Sequence, residues 1–154
     1  MDAIDKKILT CLQNDASLAI SEISERVNLS QTPCWRRIQN MEKAGIIKKR
    51  VALLARDKIN VGVTVFVSLK TRHHNREWLE KFARAVEDLP EVVEFYRMSG
   101  DVDYLLKVVV PDIAAYDAVY KRLIEKIDLD DVSSTFAMEE IKCETSLPLD
   151  YISS

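Results

Sequence analysis

The sequence predicts an α+β chain in two units, three N-terminal helices followed by a βαββαβ unit. Three observations carry that prediction. Up to Gly45 apolar residues recur at helical spacing, and from Gly62 onward strand-like runs rich in Val alternate with two amphipathic helices. Charge divides the same way: residues 1–60 hold 11 Lys/Arg against 7 Asp/Glu, and residues 61–154 hold 11 against 18. The polar joint Arg56–Asn60 is the expected linker, which gives units of 1–60 and 61–154.

Asp2 is the expected cap of the first helix, with Asp5 near its positive end and Ile4, Ile8 and Leu12 at core spacing. Ser21 and Ser30 are the expected caps of the second and third, because a side-chain oxygen can accept from orphan first-turn amides. Between them Asn28 tolerates the left-handed conformation that a sharp turn requires. Leu29 can staple onto Cys34 and fix the entry angle of the third helix, which should end at Gly45 with Lys43 in its last turn. Ile46–Leu54 then reads as a strand whose basic centre, Lys48-Lys49-Arg50, forms a wing-like element.

In the second unit Gly62–Thr71 reads as a strand, and Glu77–Leu89 as a helix with Trp78, Phe82, Ala85 and Leu89 on one face. Pro90 stops that helix. Glu91–Met98 and Val102–Val110 are strands, Ile113–Ile127 a helix with Tyr116, Val119, Tyr120, Leu123 and Ile127 inward, and Val132–Thr145 a last strand. The order βαββαβ is the ferredoxin-like arrangement, four antiparallel strands with two helices on one face. Several strands are apolar on both alternating sets, including Phe66, Leu105 and Val109 opposite the helix-covered residues. Such strands want cover on both faces, and a second copy supplies it most simply, so a homodimer is expected.

On a helical wheel the third helix sends Cys34, Ile38 and Met41 inward and Thr32, Arg36, Gln39 and Lys43 outward, with Gln31 and Trp35 on one flank and Arg37 on the other. An outer face of Gln, Thr and Arg suits the major groove, where Arg reads guanine and Gln reads adenine. A short helix, a tight turn and such a longer helix make a helix-turn-helix. Ser30, Gln31, Thr32, Trp35, Arg36, Arg37 and Gln39 are therefore the candidate contacts to double-stranded DNA, with Lys48, Lys49 and Arg50 serving phosphates. Arg36 is the expected base reader and Arg37 a phosphate ligand. Trp35 is read as packing between helices, the alternative being a thymine methyl or a phosphate. An ordinary two-helix corner with a solvated face is the competing reading. Net charge −3 over 154 residues argues against nucleic acid taken alone, but residues 26–50 hold 7 basic and 1 acidic residue, which focuses the positive field on this motif.

A composition of 47% hydrophobic and 31% charged residues is that of a soluble globular chain, and no apolar run approaches a membrane span. The acidic start is not a signal peptide, and three scattered cysteines (11, 34 and 143) point to a reducing cytoplasm without disulfides. A metal on His73-His74 is not expected, since neighbours on a strand diverge and no third His exists. Cys34 is read as a buried packing residue rather than a redox switch. No cofactor is expected.

The chain resembles the Lrp/AsnC family of feast/famine regulators from end to end. The resemblance is carried by Asp5-Lys6-Lys7-Ile8-Leu9, by Leu29 to Ile38 (LSQTPCWRRI), by Glu42 to Ile47 (EKAGII), by Gly100-Asp101-Val102-Asp103-Tyr104 and by Glu139-Glu140-Ile141-Lys142. Within the family, Lys70 to His74 and Phe136 to Glu139 look like a proteobacterial branch that includes cysteine-responsive members. The resemblance implies a transcription factor whose C-terminal domain dimerises, assembles further, often into octamers, and binds a small amino acid between dimers. It places the effector at a loop containing Met98, Gly100, Asp101, Asp103 and Tyr104, with Thr135, Phe136, Ala137 and Met138 from across the dimer–dimer contact. From the residues alone that loop reads as a plain turn, although Gly100 permits close backbone approach and Asp103 offers an ammonium acceptor. A sulfur- or aliphatic-friendly pocket would favour cysteine, methionine or leucine.

Two rivals frame this reading. An architectural DNA-binding protein would need no effector, and a small ferredoxin-like enzyme would need a catalytic constellation. No nucleophile–base pair or phosphate-cradling glycine loop is present, and 3 glycines leave little for a loop-built active site, so no enzyme is expected.

Overall fold

The structure, a computed structural model, describes every residue except His74, Ser153 and Ser154. It divides into two compact units, Met1–Leu53 together with Ile141–Ser154, and Leu54–Glu140. This differs from the expected division at residues 60 and 61 at both ends of the second unit. Backbone bonds and one arginine account for part of the difference. Val61 N donates to the carbonyl of Arg56 at 2.9 Å, and the Arg56 guanidinium bonds Thr64 Oγ1 at 2.6 Å and the carboxylate of Glu140. The joint therefore belongs to the second unit.

In the first unit α1 (Ala3–Asn14), α2 (Ile20–Arg26) and α3 (Gln31–Lys43) enclose a core of Ile8, Leu9, Leu12, Ile23, Val27, Cys34, Ile38 and Met41. Asp2 caps α1 as expected, accepting from the amides of Ile4 and Asp5 at 2.9 Å, and Asp5 accepts from Asp2 N at 3.0 Å. The expected cap of α2 is corrected: Ala19 stands at the cap position, where Glu22 accepts from its amide at 2.8 Å, and Ser21 lies inside the helix. Reaching back from the third helical position, the glutamate supplies the reciprocal half of a capping box, and the half that a capping serine would supply is missing.

Asn28 and Gly45 hold φ of 55° and 72°, and each ends its helix in the same way. Asn28 N bonds Glu25 O and Leu29 N bonds Ser24 O after α2; Gly45 N bonds Glu42 O and Ile46 N bonds Met41 O after α3. These are Schellman pairs, which satisfy the orphan carbonyls of the last turn. No strand follows: Ile46–Leu54 is irregular, contrary to the expected wing strand. A strand needs a partner ladder, and among the described residues this unit contains no other strand to supply one.

In the second unit the order is β1 (Val63–Lys70), α4 (Arg76–Glu87), β2 (Val92–Arg97), β3 (Tyr104–Val110), α5 (Ile113–Lys126) and β4 (Asp131–Phe136). The sheet is antiparallel with strand order β2-β3-β1-β4, the βαββαβ arrangement read from the sequence. Val65, Val67, Leu69, Tyr104, Leu106, Val108 and Val110 meet Phe82, Ala85, Val86, Leu89, Tyr116, Val119, Leu123 and Ile127 in the core. A bulge between Val92 and Glu94 lets both Val92 and Phe95 reach that core, which strict alternation would forbid.

β4 is shorter than the expected Val132–Thr145 strand, because residues after Phe136 leave the ladder. From Ile141 the chain belongs to the first unit. There Leu149 and Ile152 pack on the helical core, Lys6 Nζ donates to the carbonyl of Ile152 at 3.0 Å, and Gln13 exchanges two bonds with the Leu147 backbone. None of the helices of the described residues is long and apolar enough to cross a membrane.

Candidate functional site

The first site is the outer face of α3. Cys34, Ile38 and Met41 are buried as the wheel requires, which turns Gln31, Thr32, Arg36 and Lys43 to solvent. Ser30 occupies the cap position of α3, but its hydroxyl makes no capping bond, so the first-turn amides stay open to an outside acceptor. Trp35 is 51% exposed, so the reading that packed it between helices is corrected; it flanks the outer face of α3 instead. Among the described residues Arg36, Lys48 and Lys49 have no ion-pair partner and stand exposed.

Three other candidates are engaged. Arg37 Nη1 lies 2.7 Å from both Asp2 Oδ2 and Asp5 Oδ1, so its charge is spent within the unit rather than held out for a phosphate. Those carboxylates raise the guanidinium further above its ordinary value, the bond from Asp5 contributing most. Gln39 Nε2 and Arg50 Nη2 both donate to Glu42, at 2.9 Å each. The exposed cationic face is thus Arg36, Lys43, Lys48 and Lys49, with Thr32, Gln31, Ser30 and Trp35 beside it.

The second site is the β2–β3 loop. Met98 N donates to the carbonyl of Asp103 at 2.8 Å and closes it, while Gly100 holds φ of 109°, which an L side chain would strain. Met98, Gly100 and Asp101 are exposed. Asp103 is not idle: its Oδ2 accepts from Thr71 N at 2.8 Å and its amide bonds Leu69 O at 3.0 Å. Thr71, buried at the end of β1, is the partner that sequence reasoning missed, and nothing in its local pattern marks it.

Two candidates do not face a ligand in this chain. Tyr104 is buried among Trp78, Phe82 and Phe95, and Phe136 packs edge-on against Tyr116. Both sit on the inward set of their strands, as the registers Leu69↔Tyr104 and Val65↔Phe136 require. The same registers separate Thr135–Met138 from the β2–β3 loop. The two flank β1 from opposite sides, four residues apart along it, a rise of about 13 Å. Thr135, Ala137 and Met138 are exposed, Met138 almost completely, at 97%.

The His73-His74 pair considered above falls partly outside the described residues, since His74 is one of the three. His73 follows the end of β1 in a loop, not on a strand, stacks on Trp78 and lies 3.7 Å from Asp128 Oδ2.

The chain matches two family models. Residues 1–48 match a winged helix-turn-helix DNA-binding model, and residues 64–147 match the Lrp/AsnC ligand binding domain. It is 49% identical to the glutamate uptake regulatory protein of Zymomonas mobilis over 97% of this chain and 91% of that protein. An AsnC family transcriptional regulator from Agrobacterium tumefaciens superposes with a TM-score of 0.97 at 63% identity, covering 99% of this chain and 100% of that one. A transcriptional regulator from Neisseria meningitidis, in complex with L-Met, superposes with a TM-score of 0.92 at 38% identity, covering 97% of each chain.

Proposed function

Because the chain belongs to the Lrp/AsnC family of DNA-binding transcriptional regulators, we propose that α3 reads base edges through Arg36 while the β2–β3 loop helps to seat a small amino acid. The observation that carries the DNA half is the sorting of cations on α3 and just after it. Arg36 is exposed and unpaired among the described residues, Lys48 and Lys49 stand ready for phosphates, and Arg37 is withdrawn into the unit. Ser30 and the open first-turn amides of α3 add a phosphate seat of the kind helix N-termini offer.

A dimer, in this reading, places two α3 helices in successive major grooves about 34 Å apart, on a roughly two-fold site. The dimer is supported by the sheet face opposite the helices. Phe66, Leu105 and Val109 lie there beside Thr64 and Ser68, with Tyr96 further out and the Lys107–Glu94 pair (3.0 Å) as the charged element. Such a face, apolar with a neutralised charge, fits a second copy of itself. A regulator of this kind acts in the cytoplasm, where its operators are.

For the effector, the sheet-end separation of the two candidate segments supports a site shared between copies. One chain cannot close both around a small amino acid, so the site is completed by another copy: the loop from one dimer, Thr135, Ala137 and Met138 from the next, as in an octamer. Exposed Met98 and Met138 would line it with sulfur and methylene groups, which suits methionine, cysteine or leucine. The L-Met complex of the Neisseria relative supports the same class.

Calorimetric titration with L-methionine, L-cysteine, L-leucine and L-glutamate, with oligomer size followed in parallel, tests this. Asp103→Asn keeps an acceptor for Thr71 N and removes the charge. Loss of binding in that variant assigns Asp103 to the ligand ammonium; full binding reduces it to shaping the loop. Tighter binding of glutamate than of the other three would refute the proposed class.

A further inference from the structure

Arg37 sits between Arg36, which faces outward, and Ile38, which is fully buried. Its guanidinium bonds both members of the reciprocal cap of α1: Asp2, which accepts from the amides of Ile4 and Asp5, and Asp5, which accepts from the amide of Asp2. One planar cation therefore joins the first turn of α1 to the middle of α3. The buried residues of α3 are the apolar stripe Cys34, Ile38 and Met41. Apolar contacts are non-directional and leave the roll of a helix about its own axis loosely defined. A charge-assisted bond to two carboxylates is directional.

We infer that Arg37 is a positioning residue: its clamp on Asp2 and Asp5 sets the roll of α3 and thereby aims Arg36 at the base edge. The inference rests on the reading of α3 as the DNA-reading helix. It assigns to the α1 cap a share in base discrimination, although Asp2 and Asp5 carry the same charge as DNA and cannot approach a phosphate favourably. The competing role for Arg37 is direct: it lets go of the carboxylates and takes a phosphate when DNA binds.

The two roles differ in sign for the carboxylate variants. The probes are a duplex enriched from a random pool by the wild-type protein and a scrambled duplex of the same composition. The variants are Arg37→Ala, the double Asp2→Asn/Asp5→Asn, their combination, and Arg36→Ala. Asparagine is as good a cap as aspartate, so the double variant keeps α1 capped while removing the charges. It also tests the inference should Arg37→Ala fail to fold.

The clamp predicts that Arg37→Ala and the double variant each lower the ratio of specific to scrambled affinity by about tenfold, the order of one lost base contact. The combination should be no worse than either, because all three remove one interaction. The slope of log affinity against log salt should not change. Four results would overturn the inference. Tighter binding of both duplexes by the double variant, or a slope flattened by about 0.9 in Arg37→Ala, would show a phosphate contact. An unchanged affinity ratio in folded Arg37→Ala with a lowered Tm would show a stabilising pair that aims nothing. If Arg36→Ala also leaves the ratio unchanged, the reading of α3 itself fails, and the clamp falls with it.

Discussion

At the scale of single residues, exposure and pairing sort side chains that the sequence presents as equivalent. Arg36, Arg37 and Arg50 are all arginines of one basic segment, yet only Arg36 is without a carboxylate partner among the described residues. Arg36→Ala should cost about 1–3 kcal/mol on an operator and relax base preference, whereas Lys49→Ala should weaken all sequences alike; competition binding against random duplex separates the two. Cys34 lies fully buried, and burial pushes its thiol above the ordinary value. Alkylation of the native protein followed by mass analysis should label exposed Cys143 and spare Cys34. Asp2 carries a pH signature. The Asp5 amide and then the Arg37 guanidinium hold its carboxyl below the ordinary 3.8. A carboxylate with a lowered folded pKa contributes stability above its unfolded value, and that contribution disappears as pH falls through the folded one. Asp2→Asn should therefore flatten the acid limb of a Tm-against-pH curve.

At the scale of elements, termination matters as much as periodicity. α2 and α3 both end through a left-handed residue, but by different means: Asn28 tolerates positive φ, and Gly45 carries no Cβ to strain. The space around Gly45 is open, so Gly45→Ala is penalised by backbone conformation alone. It should cost about 1–2 kcal/mol in urea unfolding, with α3 keeping its buried stripe. The C-terminal tail is the element that the sequence hides. Leu149 and Ile152 are half-buried on the helical core, anchored by the bonds of Lys6 and Gln13. Ending the chain at Glu140 should destabilise the helical unit by roughly 2–3 kcal/mol, the transfer energy of two partly buried aliphatic side chains, and leave the sheet unit unaffected.

At the scale of the whole molecule, the decisive feature is the sheet face that the helices do not cover. Leu105 pairs across to Tyr96 and Ser68, and Phe66 to Lys107 and Thr135, so that one apolar side chain recurs on each neighbouring row. Leu105→Lys places a charge in the middle of that face. Sedimentation at micromolar concentration should show the wild type as a dimer or larger and the variant as a monomer. The variant should also lose operator binding, since one α3 cannot occupy two half-sites. A wild-type monomer under those conditions would refute the assembly and, with it, the composite effector site.

The order of elements, the buried stripes of α3, α4 and α5, and the positive φ at Asn28 were legible in the sequence because each follows from local rules: 3.6-residue periodicity, strand alternation and turn chemistry. The outward set of α3 was legible for the same reason. What remained illegible depends on partners far away in the chain. Arg37 looks like any flank arginine until folding brings Asp2 and Asp5, over 30 positions earlier, within 2.7 Å. Asp103 looks like a free acceptor until Thr71 N arrives, and Tyr104 and Phe136, strand residues proposed to touch the effector, turn into the core once the strand register is set. The basic segment Ile46–Leu54 has strand-forming residues but no ladder to join, and the tail after Glu140 has no periodicity to announce where it docks. Local sequence determines which surfaces a helix or strand can present; only tertiary contact decides which polar groups on those surfaces are already satisfied and which remain for DNA or an effector.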